Sequence, residues 1–313
     1  MIILNLLLFL VSLVILAKSA QYAVNYSSRF AKSLNISEFV VSFFIISFVS
    51  VFPEATVSIA SAIQGVPEFG LGTLLGSNVA DLLLVFGIVA LFSTNGIKVK
   101  SEILKNNLFY LILLLFPIIL GFDGYLSRVE GIILILGGLT FFLTLSKQDK
   151  IKKKHNKISK SEWIRNLFLL LISLGFLMGG AYYTVKFGVD FANDIKIPAF
   201  LIALTIVAVS VCLPELIFSL KAVKTRHYEL ALGDILGTVI TDATIIIGII
   251  ALINPFYFDK SIIYITGSIM VLAGIITMKF IKSEKVLTKK EGVYLLLFYI
   301  LSLIIEFIVN RVF

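Results

Sequence analysis

The sequence has one cysteine, Cys212, so an intramolecular disulfide and a cysteine-based metal cluster are both excluded. It has two histidines, His155 and His227, both in expected connectors, where they read as solvated loop residues rather than pH sensors. Charge is scarce: 15% of the 313 residues are Asp, Glu, Lys or Arg, against 59% hydrophobic, and the mean hydropathy is +1.04. A soluble domain could not hide that much apolar surface. The composition is that of a polytopic membrane protein.

An apolar helix needs about 20 residues to cross a bilayer. The sequence predicts ten spans, near 2–25, 37–64, 69–95, 103–121, 126–146, 163–189, 198–222, 230–253, 259–281 and 290–311. The chain opens directly on the first of these, with no short apolar segment and small-residue cleavage site, so no cleaved signal peptide is expected. The fold class expected is therefore all-α, with ten transmembrane helices.

The formal charge of +8 could suggest nucleic acid, but its placement argues against it. Lys147, Lys150, Lys152, Lys153, Lys154, Lys157 and Lys160 crowd the connector between spans 5 and 6. The other basic connectors alternate with ones poor in Lys and Arg, near 66, 123, 194 and 256. Under the positive-inside rule this places the basic linker, 147–160, in the cytoplasm and both termini outside a cell membrane. The expected surroundings are the lipid bilayer, with no nucleic acid and no obligate protein partner.

The linker at 147–162 divides the chain into two halves of five spans, 1–146 and 163–313. Five is odd, so equivalent spans cross in opposite directions, which is an inverted-topology repeat. The halves align without a gap at an offset of 161 residues: Pro53 falls on Pro214, Glu54 on Glu215, Gly76 on Gly237, Asp81 on Asp242 and Gly87 on Gly248. The match runs from about residue 20 to 91; spans 4, 5, 9 and 10 show no clear one and read as lipid-facing packing. Spans 1 and 6 are long and end in polar, small-residue stretches, as either sliding helices or helices with interfacial ends would.

Four acids fall inside apolar runs: Glu54, Asp81, Glu215 and Asp242. Pro53 and Pro214 directly precede the glutamates and, lacking an N–H, free backbone carbonyls beside them. Ser77 and Thr238 stand four residues before the aspartates, so each hydroxyl shares a helix face with its carboxylate. An ionised acid at mid-span costs roughly 2.5–3.5 kcal/mol. No Lys or Arg lies at matching depth in these spans to neutralise them. The acids are therefore expected to share a bound cation, to hold protons, or both. Carboxylate and carbonyl oxygens suit calcium, which takes about 6–8 of them; magnesium fits less well, and manganese is another taker of oxygen ligands.

These blocks resemble the sodium/calcium exchanger family, whose halves each carry a G-T-S-x-P-E type motif followed by G-S-N-x-x-[ND]. The first half has Val49-Ser50-Val51-Phe52-Pro53-Glu54 and then Gly76-Ser77-Asn78-Val79-Ala80-Asp81. The second has Ser210-Val211-Cys212-Leu213-Pro214-Glu215 and then Gly237-Thr238-Val239-Ile240-Thr241-Asp242. The resemblance implies a ten-helix fold with a central ion site between spans 2, 3, 7 and 8, and spans 1 and 6 sliding past it. It implies that Glu54 and Glu215 are central calcium ligands, Ser77 and Thr238 hydroxyl ligands, and Asp242 a flanking one. The candidate site is then Glu54, Glu215, Asp81 and Asp242, with Ser50, Ser77, Thr238 and Val211 by position. Val51, Val211 and Cys212 stand where the family places Thr or Ser, which weakens the case for sodium sites. Asp81 stands where Asn is common, and a fourth carboxylate can carry a proton.

The function expected is antiport of calcium against sodium or protons by alternating access, with no tightly bound cofactor and no enzymatic activity. A divalent-cation channel is the alternative. An intramembrane aspartyl protease using Asp81 and Asp242 is remote, since Asp234 follows Ala231-Leu232-Gly233 and not a Gly-x-Gly motif. Glu306 lies near the outer end of span 10 and reads as an interfacial acid. Cys212 reads as a small buried hydrophobe.

Overall fold

The computed structural model describes residues 2–32, 50–93, 96–98, 107–146, 160–283 and 286–312. They form ten helical rods. The first half contributes α1 (Ile2–Lys32), α2 (Phe52–Ile63), α3 (Pro67–Phe92), α4 (Asn107–Leu120) and α5 (Arg128–Ser146). The second contributes α6 (Lys160–Asp194), α7 (Ala199–Lys224), α8 (228–253), α9 (260–283) and α10 (Lys289–Val312). The first part of the second expected span, 37–49, lies outside the described residues. The last three residues of the expected linker, 160–162, already belong to α6.

Seven of the described rods are long and apolar enough to cross a membrane, and Leu108–Leu120 is a shorter apolar helix. Burial separates core from rim. The apolar stretches of α3 and α8 are each 83% buried, whereas that of α1 is 28% and that of α6 33% buried. α1 and α6 run along each other at the periphery. Ser12 and Thr184 meet between them at 3.2 Å, and Asn5 Nδ2 donates to Asp194 Oδ2 at 2.8 Å near one end. Their lengths, 31 and 35 residues, match the long first and sixth spans expected. α9 is 61% buried over its apolar stretch, so it is more than lipid-facing packing.

The repeat extends further than its conspicuous matches. α5 and α10 start with the same reciprocal cap. The Ser127 N–H donates to Glu130 Oε2 at 2.6 Å and the Glu130 N–H to Ser127 Oγ at 3.3 Å. The Thr288 N–H donates to Glu291 Oε2 at 2.7 Å and the Glu291 N–H to Thr288 Oγ1 at 3.3 Å. Such a box satisfies amide groups that a helix start otherwise leaves bare. Ser127 and Thr288 differ by the same 161 residues, as do Glu130 and Glu291, and Gly131 and Gly292. Spans 5 and 10 are thus repeat mates after all; their match is short and was masked by the apolar residues around it.

Those two glycines set the helix crossings. A Cβ on Gly131 would lie 2.7 Å from the Gly248 carbonyl oxygen, and one on Gly292 would lie 2.9 Å from that of Gly87. So α5 crosses α8, and α10 crosses α3, backbone against backbone. Two short ladders complete the arrangement. β1 (Ile97–Lys98) pairs antiparallel with β4 (Val286–Leu287), and β2 (Tyr125–Leu126) with β3 (Phe256–Tyr257). β1 follows α3 and β4 precedes α10, while β2 precedes α5 and β3 follows α8. Each ladder therefore joins one connector from each repeat, as two inverted sets of five helices require.

Candidate functional site

The site is assembled where both repeats break their helices. Val51 and Cys212, again 161 apart, carry flattened ψ angles of −13° and −5°. A fresh helix begins after each, with proline at its second position, where a missing N–H is harmless. Glu54 and Glu215 consequently fall in the first turn, where unpaired amide groups favour negative charge.

α3 and α8 widen at equivalent places. Residues Ala80–Val85 and Thr241–Ile246 form turns in which an N–H reaches five residues back: Phe86 to the Asp81 carbonyl, Ile247 to the Asp242 carbonyl. Widened turns of this kind collect at functional sites. They place Asp81 and Asp242 beside the broken α2 and α7. Gly76 lets α3 lie directly on α7, since a Cβ there would meet Ala208 at 2.8 Å and collide with the Leu204 carbonyl.

All eight candidate residues, Ser50, Glu54, Ser77, Asp81, Val211, Glu215, Thr238 and Asp242, are completely buried. Glu54 sits within electrostatic reach of Asp242 and Asp81, and Glu215 within reach of Glu54 and Asp81. Ser77 Oγ donates to Asp242 Oδ2 at 3.2 Å, joining α3 to α8 across the repeat boundary. Both carboxyl oxygens of Glu54 and of Glu215 lack any hydrogen-bond partner, as does Thr238 Oγ1. The buried Val211 side chain can offer only hydrocarbon. Buried carboxylates in this condition are strongly disfavoured unless protons or a cation complete them. Among the described residues, no three Asp, Glu, His or Cys side chains converge tightly enough to grip an ion by themselves. The hydroxyls and backbone carbonyls must therefore supply part of any coordination shell.

Sequence reasoning passed over one site residue. Asp234 is buried in the same cluster, within reach of Glu54, Asp81 and Glu215, and its Oδ1 accepts from Ser50 Oγ at 2.7 Å. Its signal was available: Asp234, Thr238 and Asp242 follow one another at four-residue steps on one helix face. Glu306, expected as an interfacial acid, is covered by protein. It is 4% exposed and lines a cleft with Gly76, Thr266, Tyr299 and Ser302. Cys212 is buried as expected, and its thiol points at the Ser77 carbonyl at 3.6 Å. His227 is exposed beside Thr225, and His155 lies outside the described residues.

Ten helices in two inverted sets of five, closing on buried acids at broken helices, define a multi-pass membrane transporter of the secondary type. The family model for sodium/calcium exchanger proteins matches residues 4–145 and 165–308. The sodium/calcium exchanger MaX1 of Methanosarcina acetivorans is 28% identical, over 98% of this chain and 99% of its own. The putative antiporter CaxA of Alkalimonas amylolytica is 33% identical, over 80% of this chain and 82% of its own. A solved structure of the sodium-calcium exchanger NCX_Mj, soaked with sodium and strontium, superposes with a TM-score of 0.69 at 25% identity, covering 96% of this chain and 98% of that one. The chain belongs to the sodium/calcium exchanger family. It is a transporter and not an enzyme.

Proposed function

We propose that the protein exchanges calcium for a monovalent cation, sodium or protons, by alternating access at a site between α2, α3, α7 and α8. Glu54 and Glu215 supply the central charge. Asp81 and Asp242 flank them, and Ser50, Ser77 and Thr238 add hydroxyl oxygens. Val211 contributes by position, through its main chain. The observation that carries this reading is the state of Glu54 and Glu215: four carboxyl oxygens, fully buried, with no side chain hydrogen-bonded to them. Two carboxylates match the charge of one divalent ion, and the bridging hydroxyls and broken-helix carbonyls fit the larger oxygen shell of calcium.

In this reading residues 1–146 and 163–313 are the two repeats, joined by the 147–162 linker. The basic linker faces the cytoplasm and both termini face outside. α1 and α6, both mostly unburied and packed against each other, are the pair that slides past the core. The sealed burial of all four acids fits a site opened to one side at a time better than a continuous pore. Calcium uptake into vesicles holding the purified protein tests the reading under imposed sodium and proton gradients in turn. Uptake driven by either gradient supports exchange. Absence of uptake under both, or uptake indifferent to both, overturns it.

A further inference from the structure

The outward side of the α1–α6 pair is hollowed, and glycines of α6 shape the hollow. A Cβ on Gly180 would lie 3.1 Å from the Leu16 main-chain nitrogen, so the two helices close on each other there. A Cβ on Gly175 or Gly179 would meet nothing within 4 Å, so the surface sinks at those two positions. Two cavities lie along the pair, of about 450 and 370 Å³. Both are lined by Ile15, Ile172 and Phe176, which makes them one groove. Those three side chains are exposed, so the groove opens outward, and no ion-site residue lines it.

One end of the groove is cationic. Lys18 lines it there, with Tyr22 and Tyr26. The two tyrosine rings stack with centroids 6.3 Å apart, and the Arg29 guanidinium lies 5.9 Å from the centre of the Tyr26 ring. Across the groove, the exposed Arg165 stands one turn before Leu169 on the same face of α6. α1 contains no Asp or Glu, and α6 has a single acid at this end, Glu162. The far end of α6 carries Asp190 and Asp194. Hydrocarbon walls, then tyrosine hydroxyls, then cationic groups follow one another along the groove. That is the order of tail, interface and phosphate in a phospholipid, and basic pockets between membrane helices on the cytoplasmic side take anionic head groups.

Building on the topology and the sliding pair read above, we propose that the α1–α6 groove binds one anionic phospholipid of the cytoplasmic leaflet. Lys18, Arg29 and Arg165 hold its phosphate, and an acyl chain fills the hollow at Gly175 and Gly179. The lipid touches both helices of the sliding pair, so its occupancy alters the rate of exchange.

The test offers phosphatidylglycerol and phosphatidylcholine at equal concentration to the full chain in detergent and counts retained lipid by native mass spectrometry. One phosphatidylglycerol per chain is expected to stay bound, favoured over phosphatidylcholine about tenfold or more, as several basic side chains at one anionic head imply. Lys18→Gln combined with Arg165→Gln is expected to abolish that preference. Gly175→Leu combined with Gly179→Leu, which fills the hollow, is expected to abolish retention with the basic end intact. The exposed charge pair keeps the test open should the leucine pair fail to fold. In phosphatidylcholine vesicles with and without phosphatidylglycerol, calcium uptake by the wild type is expected to differ several-fold, and uptake by the charge variant not to differ. Each of four results overturns the proposal: equal retention of the two lipids, an unsaturable coat of many lipids in place of one, full phosphatidylglycerol retention in both variants, or active wild-type uptake indifferent to phosphatidylglycerol. Retention is read without flux, so a wild-type protein that moves no calcium in any vesicle would reject the exchange reading and leave the lipid site standing.

Discussion

Glu54 and Glu215 occupy equivalent first-turn positions, yet neither has a hydrogen-bond partner to rely on once its charge is lost. Replacing either with glutamine keeps the shape and removes one of two central charges. Removing one member of a buried charge pair costs about 2–5 kcal/mol, or roughly thirty- to several-thousand-fold in affinity. Glu54→Gln and Glu215→Gln are each expected to weaken calcium binding by that range in isothermal titration, and binding at wild-type strength in either would remove the residue from the site. Asp81 is placed differently, next to Cys212 and at the widened turn of α3. Asp81→Asn is expected to change the coupling ion or its pH profile more than calcium affinity. Parallel flux curves for mutant and wild type across pH would count against a coupling role.

At the scale of the helix, the four acids and the proline-broken segments were legible because buried charge is costly and a repeated Pro-Glu pair has no packing rationale. The ten rods were legible from hydropathy alone. Asp234 was not, because it entered only as a failed protease motif and its partner, Ser50, is 184 residues away. The cover that α3, α7 and α9 give Glu306 was not legible either, because depth along a span says nothing about which neighbour lies over it. The α5 and α10 match was missed because it consists of one capping box and one glycine, Ser127 to Gly131 and Thr288 to Gly292. Those glycines yield a test in pairs. A valine at Gly131 or Gly292 would push its helix off a backbone carbonyl less than 3 Å away. Overpacking of this kind costs about 1–3 kcal/mol. Gly131→Val and Gly292→Val are expected to lower the melting temperature in detergent by similar amounts. If either melts like the wild type, that crossing is not as close as described.

The arrangement of the whole molecule follows from an odd number of crossings per repeat. The β1–β4 ladder ties the end of α3 to the start of α10, and the β2–β3 ladder ties the start of α5 to the end of α8. Five crossings per repeat put the first ladder on one face of the membrane and the second on the other. The basic excess lies on one side: Lys98, Lys282, Lys289 and Lys290 flank the first ladder, while around the second Asp123 and Asp259 offset Arg128 and Lys260. Cytoplasmic connectors collect lysine and arginine, so the first ladder is the expected cytoplasmic one, together with the 147–160 linker. Cys212 is buried, and replacing it with alanine gives a background free of cysteine. In that background His155→Cys in the linker and Asp123→Cys in the α4–α5 turn become single reporters. An impermeant thiol reagent applied to intact cells is expected to label Asp123→Cys and to spare His155→Cys. Inside-out vesicles should give the reverse pattern. Labelling of both from one side would mean that the turn and the linker share a face, which five crossings per repeat do not allow.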